Sequence, residues 1–184
     1  MKTFKSHLKE TTLSRVFRHF QNKKIPVGII TAFRDEFEYG QNVKRNKVLA
    51  SKVKKARYGF IYVDGHWKEK DKDTGELVDV NEDSILVIGS ENDSGKLKGL
   101  FKKWVKEYNQ DAALFKDAGT TEIHFIKQSG DTDPFAQKFS QKKLEIGYTK
   151  LRGRSKSVFS FDEERDGEGW LGRMERLIKE RQKK

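Results

Sequence analysis

Hydrophobic and polar positions repeat along the chain with two different periods, and together they predict a mixed α/β fold. Apolar side chains recur every three to four residues in three long segments, which is the spacing of an amphipathic helix. A fourth such segment at the C-terminus combines this spacing with many lysines and arginines, so it predicts a basic terminal helix. The predicted helices cover residues 3–21, 43–57, 94–108 and 170–184.

Short apolar runs lie between these helices and predict a single sheet of about five to six strands with flanking helices. Pro26 separates the first helix from the first strand, and Gly59 ends the second helix. Residues 73–75, Asp-Thr-Gly, predict a hairpin turn in the polar stretch after the second strand. The predicted strands cover residues 27–32, 59–63, 84–88, 112–115, 121–126 and 158–161.

Residues 27–63 predict a strand, a helix and a second strand, an order that favours a right-handed parallel crossover. Asn42 is the expected N-cap of this helix. Residues 1–126 are expected to form a compact α/β domain. Residues 127–184 are expected to be a basic C-terminal extension of loops, a short edge strand and the terminal helix, packed on the same domain.

The composition limits the chemistry that the chain can perform. It has 184 residues and no cysteine, which excludes disulfides, cysteine-ligated zinc, iron–sulfur clusters and a thiol nucleophile. No apolar run reaches the roughly 18–20 residues of a membrane helix, and the N-terminus lacks the apolar core of a signal peptide. We therefore expect a cytoplasmic protein that is not secreted.

The excess of positive charge is concentrated in three parts of the chain. Lys+Arg number 39 against 28 Asp+Glu, so the formal net charge is +11. Two basic groups lie on the polar sides of the predicted helices 43–57 and 94–108, and a third lies in residues 138–156. Groups that face one way would attract phosphates and release counterions from nucleic acid, whereas solvated helix surfaces are the alternative. The cations expected to bind phosphate or nucleic acid are Lys44, Lys47, Lys54, Lys98, Lys102, Arg152 and Arg154.

Polar side chains also follow the first two predicted strands, where a parallel sheet would form a ligand crevice. Arginines there could bind a phosphate through two nitrogens, a tryptophan could stack on a base, and a histidine beside a carboxylate could transfer protons. The alternative is structural: a helix cap, a ring that covers the hairpin and an exposed histidine. Residues assigned to this crevice are Arg34, Asn42, Arg45 and Trp67 for binding, with His66 and Glu69 as the catalytic pair if the chain is an enzyme.

Motifs that diagnose a reaction are missing from the sequence. There is no nucleophile elbow, no phosphate loop and no dinucleotide fingerprint, and the four histidines have no metal-site spacing. Acidic clusters at residues 35–38, 71–83 and 162–164 are typical of solvated turns. No cofactor is therefore predicted, and a divalent metal is expected only if the chain is an enzyme that cleaves phosphodiesters.

Residues 29–69, IITAFRDEFEYGQNVKRNKVLASKVKKARYGFIYVDGHWKE, resemble small uncharacterised proteins of bacteriophages and bacteria, and the resemblance extends over residues 29–115. It implies a phage origin and carries over no functional residue. The shared pattern is a strand that ends in Thr-Ala, a helix headed by Asn, a Gly-aromatic strand and a Gly-x-Trp-x-Glu segment. Its positions here are Thr31, Ala32, Asn42, Asn46, Leu49, Gly59, Gly65, Trp67 and Glu69, with Glu82 and Ser84 before a later strand.

These observations favour a phage-type accessory protein that binds nucleic acid or a phosphorylated nucleotide through its basic helices and the strand-end crevice. One alternative is an enzyme that processes a nucleotide or phosphodiester. Another is a virion or host-interaction protein whose positive surface binds an acidic protein. No membrane partner is expected, and the sequence leaves the oligomeric state open.

Overall fold

The structure is a computed structural model that describes residues 13–70, 74, 77–136, 138–140, 147–151 and 158–162. Side chains are described for residues 16–65, 74 and 81–135. The predicted terminal helix 170–184 and the start of the first helix lie outside the described residues. The helices are α1 Leu13–Gln21, α2 Tyr39–Lys55 and α3 Lys96–Glu107. The strands are β1 Val27–Ile30, β2 Gly59–Lys70, β3 Leu77–Ile88, β4 Ala112–Lys116, β5 Ile123–Lys127, β6 Thr132–Ala136, β7 Lys138–Ser140, β8 Gly147–Leu151 and β9 Val158–Asp162.

The described strands form one sheet in the order β6-β5-β4-β1-β3-β2-β8-β9-β7, and each strand runs antiparallel to the neighbours it pairs with. The prediction of a mixed α/β fold built on a single sheet is confirmed. The sheet has more strands than the sequence pattern indicated because the segment 127–151, expected to be mostly loop, contributes β6, β7 and β8. β9 lies between β8 and β7 rather than at an edge.

The parallel crossover between β1 and β2 is not confirmed, because β3 lies between them. Ile30 of β1 pairs with Ile85 of β3, and Ile85 pairs on its other side with Tyr62 of β2. β1 and β2 therefore point the same way without sharing a hydrogen bond. The long β2–β3 hairpin continues well past the end of β1, to the pair Lys70 and Leu77.

Helix α2 begins earlier than the sequence predicted, which changes the role of Asn42. Its N-cap is Glu38, and a capping box forms with Gln41, whose side chain accepts a hydrogen bond from the Glu38 backbone N–H at 3.2 Å. Asn42 lies inside the first turn and is 5% exposed. The cap prediction is wrong because an acid at residue 38, which the sequence placed in a solvated loop, caps the helix instead.

Each face of the sheet buries its own apolar cluster. On one face, Val16 and Phe20 of α1 pack with β-strand residues such as Ile29 and Leu86. On the other face, α2 and α3 cover the sheet, and Gly28 of β1 leaves room for the ring of Phe101. Both faces of the central strands are therefore covered by helices.

Candidate functional site

A cleft of about 160 Å³ lies beyond the end of β1, on the face of the sheet that α1 also covers. Its apolar wall consists of Ile29, Leu114 and Phe125, which come from β1, β4 and β5. Ligand pockets usually measure roughly 300–1,000 Å³, so this cleft suits a part of a nucleoside-sized ligand rather than the whole molecule.

Two buried polar side chains hold the end of β1 against β3. The Asn46 carboxamide accepts a hydrogen bond from the Ala32 backbone N–H at 3.0 Å and donates one to the Asp83 carbonyl at 2.7 Å. The Thr31 hydroxyl donates to the same carbonyl at 2.7 Å and accepts from the Phe33 N–H at 3.0 Å. Thr31 lines the cleft, so its position there is fixed by this network.

The loop after β1 places Arg34 at the rim of the cleft. Its guanidinium donates to both Glu36 carboxylate oxygens at 3.1 and 3.2 Å and to the Asn109 carbonyl at 2.8 Å, and it lies 3.9 Å from Asp111. Asn42 supports the loop, since its carboxamide accepts from the Arg34 N–H and donates to the Arg34 carbonyl, at 2.9 and 2.8 Å. Asn42 therefore shapes the loop that carries Arg34.

Carboxylates outnumber cations around the cleft. Asp35, Glu82 and Asp111 line it together with Arg34, which leaves formal charges of −3 and +1. Ser84 also lines it and is 3% exposed.

Arg45, expected to bind phosphate beside Arg34, contacts the protein itself. Its Nε donates to the Ala32 carbonyl at 2.8 Å and its Nη2 to the Tyr108 carbonyl at 3.1 Å. The guanidinium also lies over the Phe37 ring, 4.4 Å from the centroid. These contacts tie α2 to the loop after α3, and a ligand role for Arg45 stays a prediction.

The helical lysines lie on the opposite side of the sheet from the cleft wall. α2 and α3 both cover the second face, and most of their candidate cations project into solvent there. Lys98 is the exception, because its Nζ lies 2.7 Å from Asp117 Oδ2. Arg152 and Arg154 lie outside the described residues. The exposed candidates are Lys44, Lys47, Lys54 and Lys102.

The residues expected from the second strand lie on the extended β2–β3 hairpin. The backbone of His66 pairs with Asn81 and that of Trp67 with Val80, whereas their side chains are outside the described set. Asp64 of β2 pairs with Asp83 of β3. Glu69 lies five residues after Asp64, a distance of roughly 17 Å along the strand. Their binding and catalytic roles stay predictions.

Three residues that line the cleft were not assigned to it from the sequence, because they come from segments that are far from β1 along the chain. Glu82 and Ser84 come from β3, and Asp111 comes from the turn before β4. The antiparallel insertion of β3 beside β1 brings the first two there, and the pattern of apolar runs does not encode that pairing. The sequence signal for Glu82 and Ser84 was the Glu-x-Ser pattern of the resemblance, which indicates no reaction.

Two further groups are buried at the opposite end of β4. Lys116 is fully buried, and its Nζ donates to the carbonyls of Asn22, Ile25, Asp117 and Thr120 at 2.6–3.3 Å. Burial lowers the pKa of Lys116 to about 8. Burial likewise lowers the pKa of His124, and the carboxylate of Asp117, 3.7 Å from its Nε2, partly opposes this.

The pKa values of two tyrosines are raised on the face of the sheet that α2 and α3 cover. Burial, together with a 2.6 Å hydrogen bond to Asp93, raises the pKa of Tyr58 to about 12. Burial raises the pKa of Tyr108, whose hydroxyl has no hydrogen-bond partner among the described residues.

In the ranges that the structure describes, no three His, Asp or Glu side chains are grouped so that they could hold a metal ion. No helix of these ranges is both long and apolar enough to cross a membrane.

The fold and the cleft define a mixed α/β protein whose ligand cleft lies at the end of a central strand and is lined by acids. The chain belongs to the S-adenosylmethionine lyase family, whose model matches residues 28–171. No curated protein matches the chain. Among solved structures it is similar to a phage SAM lyase in complex with S-methyl-5'-thioadenosine, with 16% identity over 60% of this chain and 88% of that chain and a TM-score of 0.31.

Family membership corrects the function expected from the charge pattern. The sequence predicted an accessory protein that binds nucleic acid or a phosphorylated nucleotide, and it left catalysis uncertain. Both predictions are wrong because the family is one of enzymes. The enzyme alternative is the better description. The family match supports neither a nucleic-acid partner nor a virion partner. The lysines led to the wrong prediction because solvated helix surfaces and phosphate-binding surfaces are both rich in lysine.

Proposed function

We propose that this protein is a lyase that cleaves S-adenosylmethionine, with the cleft at the end of β1 as its binding site. The observation that carries the proposal is the family match over residues 28–171. The cleft supports it, because Arg34 at its rim is able to bind the carboxylate of the amino-acid arm and the volume of about 160 Å³ suits that arm.

The sulfonium makes carbon–sulfur cleavage feasible without a metal, oxidant or water. When the bond between sulfur and the γ-carbon of the amino-acid arm breaks, sulfur keeps the electron pair and leaves as neutral methylthioadenosine. The γ-carbon can bond to the substrate's own carboxylate oxygen, which gives homoserine lactone. Alternatively, a base removes a β-proton and the arm leaves as the unsaturated amino acid. Both routes balance without a further reactant. The protein therefore has to bind and orient the substrate and to keep water away from it.

Arg34 and Thr31 are the described residues best placed to orient the amino-acid arm. Arg34 already binds the Glu36 carboxylate through its Nε. The carboxylate of the amino-acid arm can take the place of Glu36 at this guanidinium. Thr31 is held by the Asp83 carbonyl and forms a fixed part of the wall. The small volume of the cleft matches the arm and the sulfonium, which leaves the adenosine to lie outside it.

The two routes differ in whether they need a base. Elimination needs one within hydrogen-bond reach of the β-proton, and ring closure needs none. Glu69 and His66, the pair predicted from the sequence, lie on the β2–β3 hairpin, and Glu69 is roughly 17 Å of strand beyond Asp64. For an arm that Arg34 and Thr31 hold in the cleft, we therefore favour ring closure, and Glu69→Gln should change kcat little.

Mass spectrometry of the products in H₂¹⁸O tests the proposed function. The purified chain should convert S-adenosylmethionine to methylthioadenosine and a four-carbon product whose mass is that of the lactone or of the unsaturated amino acid. Neither product should contain ¹⁸O at the earliest times. Homoserine labelled with ¹⁸O from the first time point would instead identify a hydrolase, and an unchanged substrate would overturn the proposal.

A further inference from the structure

We propose that residues 170–184 dock on an apolar sheet face of the same chain, beside the cleft. The face belongs to the outer sheet, which consists of residues 63–70 of β2, residues 77–84 of β3 and the strands β7, β8 and β9. The proposal is independent of the proposed function, because it concerns how the sheet is covered and not what the cleft binds.

Strand register divides the positions of the outer sheet between its two faces, because paired residues share a face and successive residues alternate. Ser84 and Glu82 line the cleft, so their partners Val63 and Gly65 mark the cleft-side face of β2. The alternation continues through β8 and β9 to β7. The apolar positions on the cleft-side face are Val63, Trp67, Val78, Val80, Phe139, Leu151, Phe159 and Phe161.

The opposite face of the outer sheet has the composition of a solvated surface. Three of its register pairs join opposite charges, an arrangement that stabilises exposed sheet faces. These pairs are Asp64 with Lys150, Lys68 with Asp79, and Lys138 with Asp162. An antiparallel sheet with one polar and one apolar face buries the apolar face against another element, so the cleft-side face needs a cover.

The described helices cover other parts of the sheet. α2 and α3 pack on the opposite face of its central strands. Val63, at the near end of the outer sheet, belongs to the apolar cluster that includes Val16 and Phe20 of α1. Gly65 lies two residues further along β2 and is also buried, although it has no side chain. Other atoms therefore cover the strand beyond Val63.

The segment 170–184 has the length and the starting point that this cover needs. It lies outside the described residues, and its sequence predicts a helix with one apolar stripe. A helix of these 15 residues is roughly 22 Å long, and the five strands of the outer sheet span roughly 19 Å. β9 ends at Asp162, so the seven residues 163–169 reach roughly 23 Å from the outer sheet itself. The stripe consists of Leu171, Met174, Leu177 and Ile178.

Charge favours this segment over a second copy of the chain as the cover. The charged positions on the cleft-side face of the outer sheet are Glu69 and Glu82, and both are acidic. Residues 170–184 contain six Lys or Arg and two Glu, so their formal charge is +4. Two copies of the face would instead place like charges opposite each other.

Cysteine cross-linking tests the docking, and the chain suits it because it has no native cysteine. Thr149→Cys lies on the cleft-side face of β8, the middle strand of the outer sheet, and Met174→Cys lies in the stripe. Mild oxidation of the full chain should link this pair within one molecule about tenfold faster than the control pair Lys150→Cys and Met174→Cys, whose β8 position is on the opposite face. The same comparison with Leu171→Cys or Ile178→Cys covers the length of the stripe.

Amide hydrogen exchange is a second measurement that needs no cysteine. Leu177→Gln places a polar group in the stripe and should speed the exchange of β8 and β9 amides by about tenfold, because the sheet loses part of its cover. Lys179→Gln lies on the other side of the predicted helix and should leave this exchange unchanged. Mass spectrometry of peptides follows both the exchange and the cross-links.

Three results would overturn the proposal. Equal cross-linking on the two faces at all three stripe positions would show a tether without a docking site. Links mainly between chains, seen on non-reducing gels, would identify a second copy as the cover. Equal exchange in Leu177→Gln and Lys179→Gln would show that the stripe is not buried. None of these results bears on the turnover of S-adenosylmethionine, which is measured separately.

Discussion

The Asn46 carboxamide donates a 2.7 Å hydrogen bond to the Asp83 carbonyl and so fixes helix α2 to strand β3 beneath the cleft. The other end of the same carboxamide accepts from the Ala32 N–H. One buried side chain thereby joins three segments that are far apart in sequence. The cleft depends on this bridge because Thr31, which follows β1, and Ser84 of β3 line the cleft next to the residues that it connects.

We expect Asn46→Ala to lower the free energy of unfolding by about 2 kcal/mol, because the Ala32 N–H loses its acceptor in a buried setting. Urea denaturation followed by circular dichroism measures this change. Ser51→Ala, at an exposed position of the same helix, should change stability by less than about 0.5 kcal/mol. Equal effects of the two substitutions would mean that the bridge has no special role.

Two glycine-to-alanine changes should have opposite effects. A Cβ on Gly28 would overlap the ring of Phe101 and lie 2.8 Å from Phe115, so Gly28→Ala should destabilise the protein by about 1–3 kcal/mol. A Cβ on Gly99 meets nothing within 4 Å on the exposed side of α3, so Gly99→Ala should stabilise it by about 0.5–1 kcal/mol. Melting temperatures that move in the same direction would refute the packing of β1 against α3.

Lys116→Met should destabilise the protein by about 1–3 kcal/mol near neutral pH, because four buried carbonyls lose their shared donor. Lys23→Met, at an exposed position nearby, is the control and should have little effect. A Lys116→Met protein as stable as wild type would show that the carbonyls do not need the ammonium.

The stability of wild type should also depend on pH through Lys116. Its pKa is about 8 when folded and 10.5 by reference, so between these values the unfolded chain binds more protons. The free energy of unfolding of wild type, minus that of Lys116→Met, should therefore increase from about pH 8 to about pH 10.5. A difference that is flat or decreases over this interval would contradict the lowered pKa.

Tyr58 should produce the opposite dependence at higher pH. Its pKa is raised from 10.0 to about 12, so its hydrogen bond to Asp93 stabilises the fold below pH 10 and is lost as the pH rises toward 12. Wild type should lose stability relative to Tyr58→Phe over that interval. Urea midpoints of both proteins at several alkaline pH values measure this, and parallel curves would rule out the contribution of Tyr58.

Local patterns in the sequence predicted much of the fold. The buried face of α2 was predicted correctly, including Asn46, Leu49 and Val53. The antiparallel pair β4–β5 was also predicted correctly. The insertion of β3 between β1 and β2 was missed because strand order depends on long-range pairing. The hairpin predicted around residues 73–75 agrees with the pairing of β2 and β3, which extends to Lys70 and Leu77.

The candidate site was predictable to a lesser degree. Arg34 was found because it follows a buried strand, and it does line the cleft. Asn42 and Arg45 were named for the same reason, but their polar atoms bind backbone groups, which a sequence does not reveal. The net charge of +11 pointed to anionic ligands, whereas the residues that line the cleft carry more acids than bases.

The most direct test of the central claim is a proton NMR time course of S-adenosylmethionine mixed with the wild-type protein. Lyase activity predicts that the sulfonium methyl signal is replaced, in proportion to enzyme concentration, by the thioether methyl signal of methylthioadenosine. A heat-treated sample reports the uncatalysed rate. A sulfonium signal that decays no faster than in this control would contradict the account.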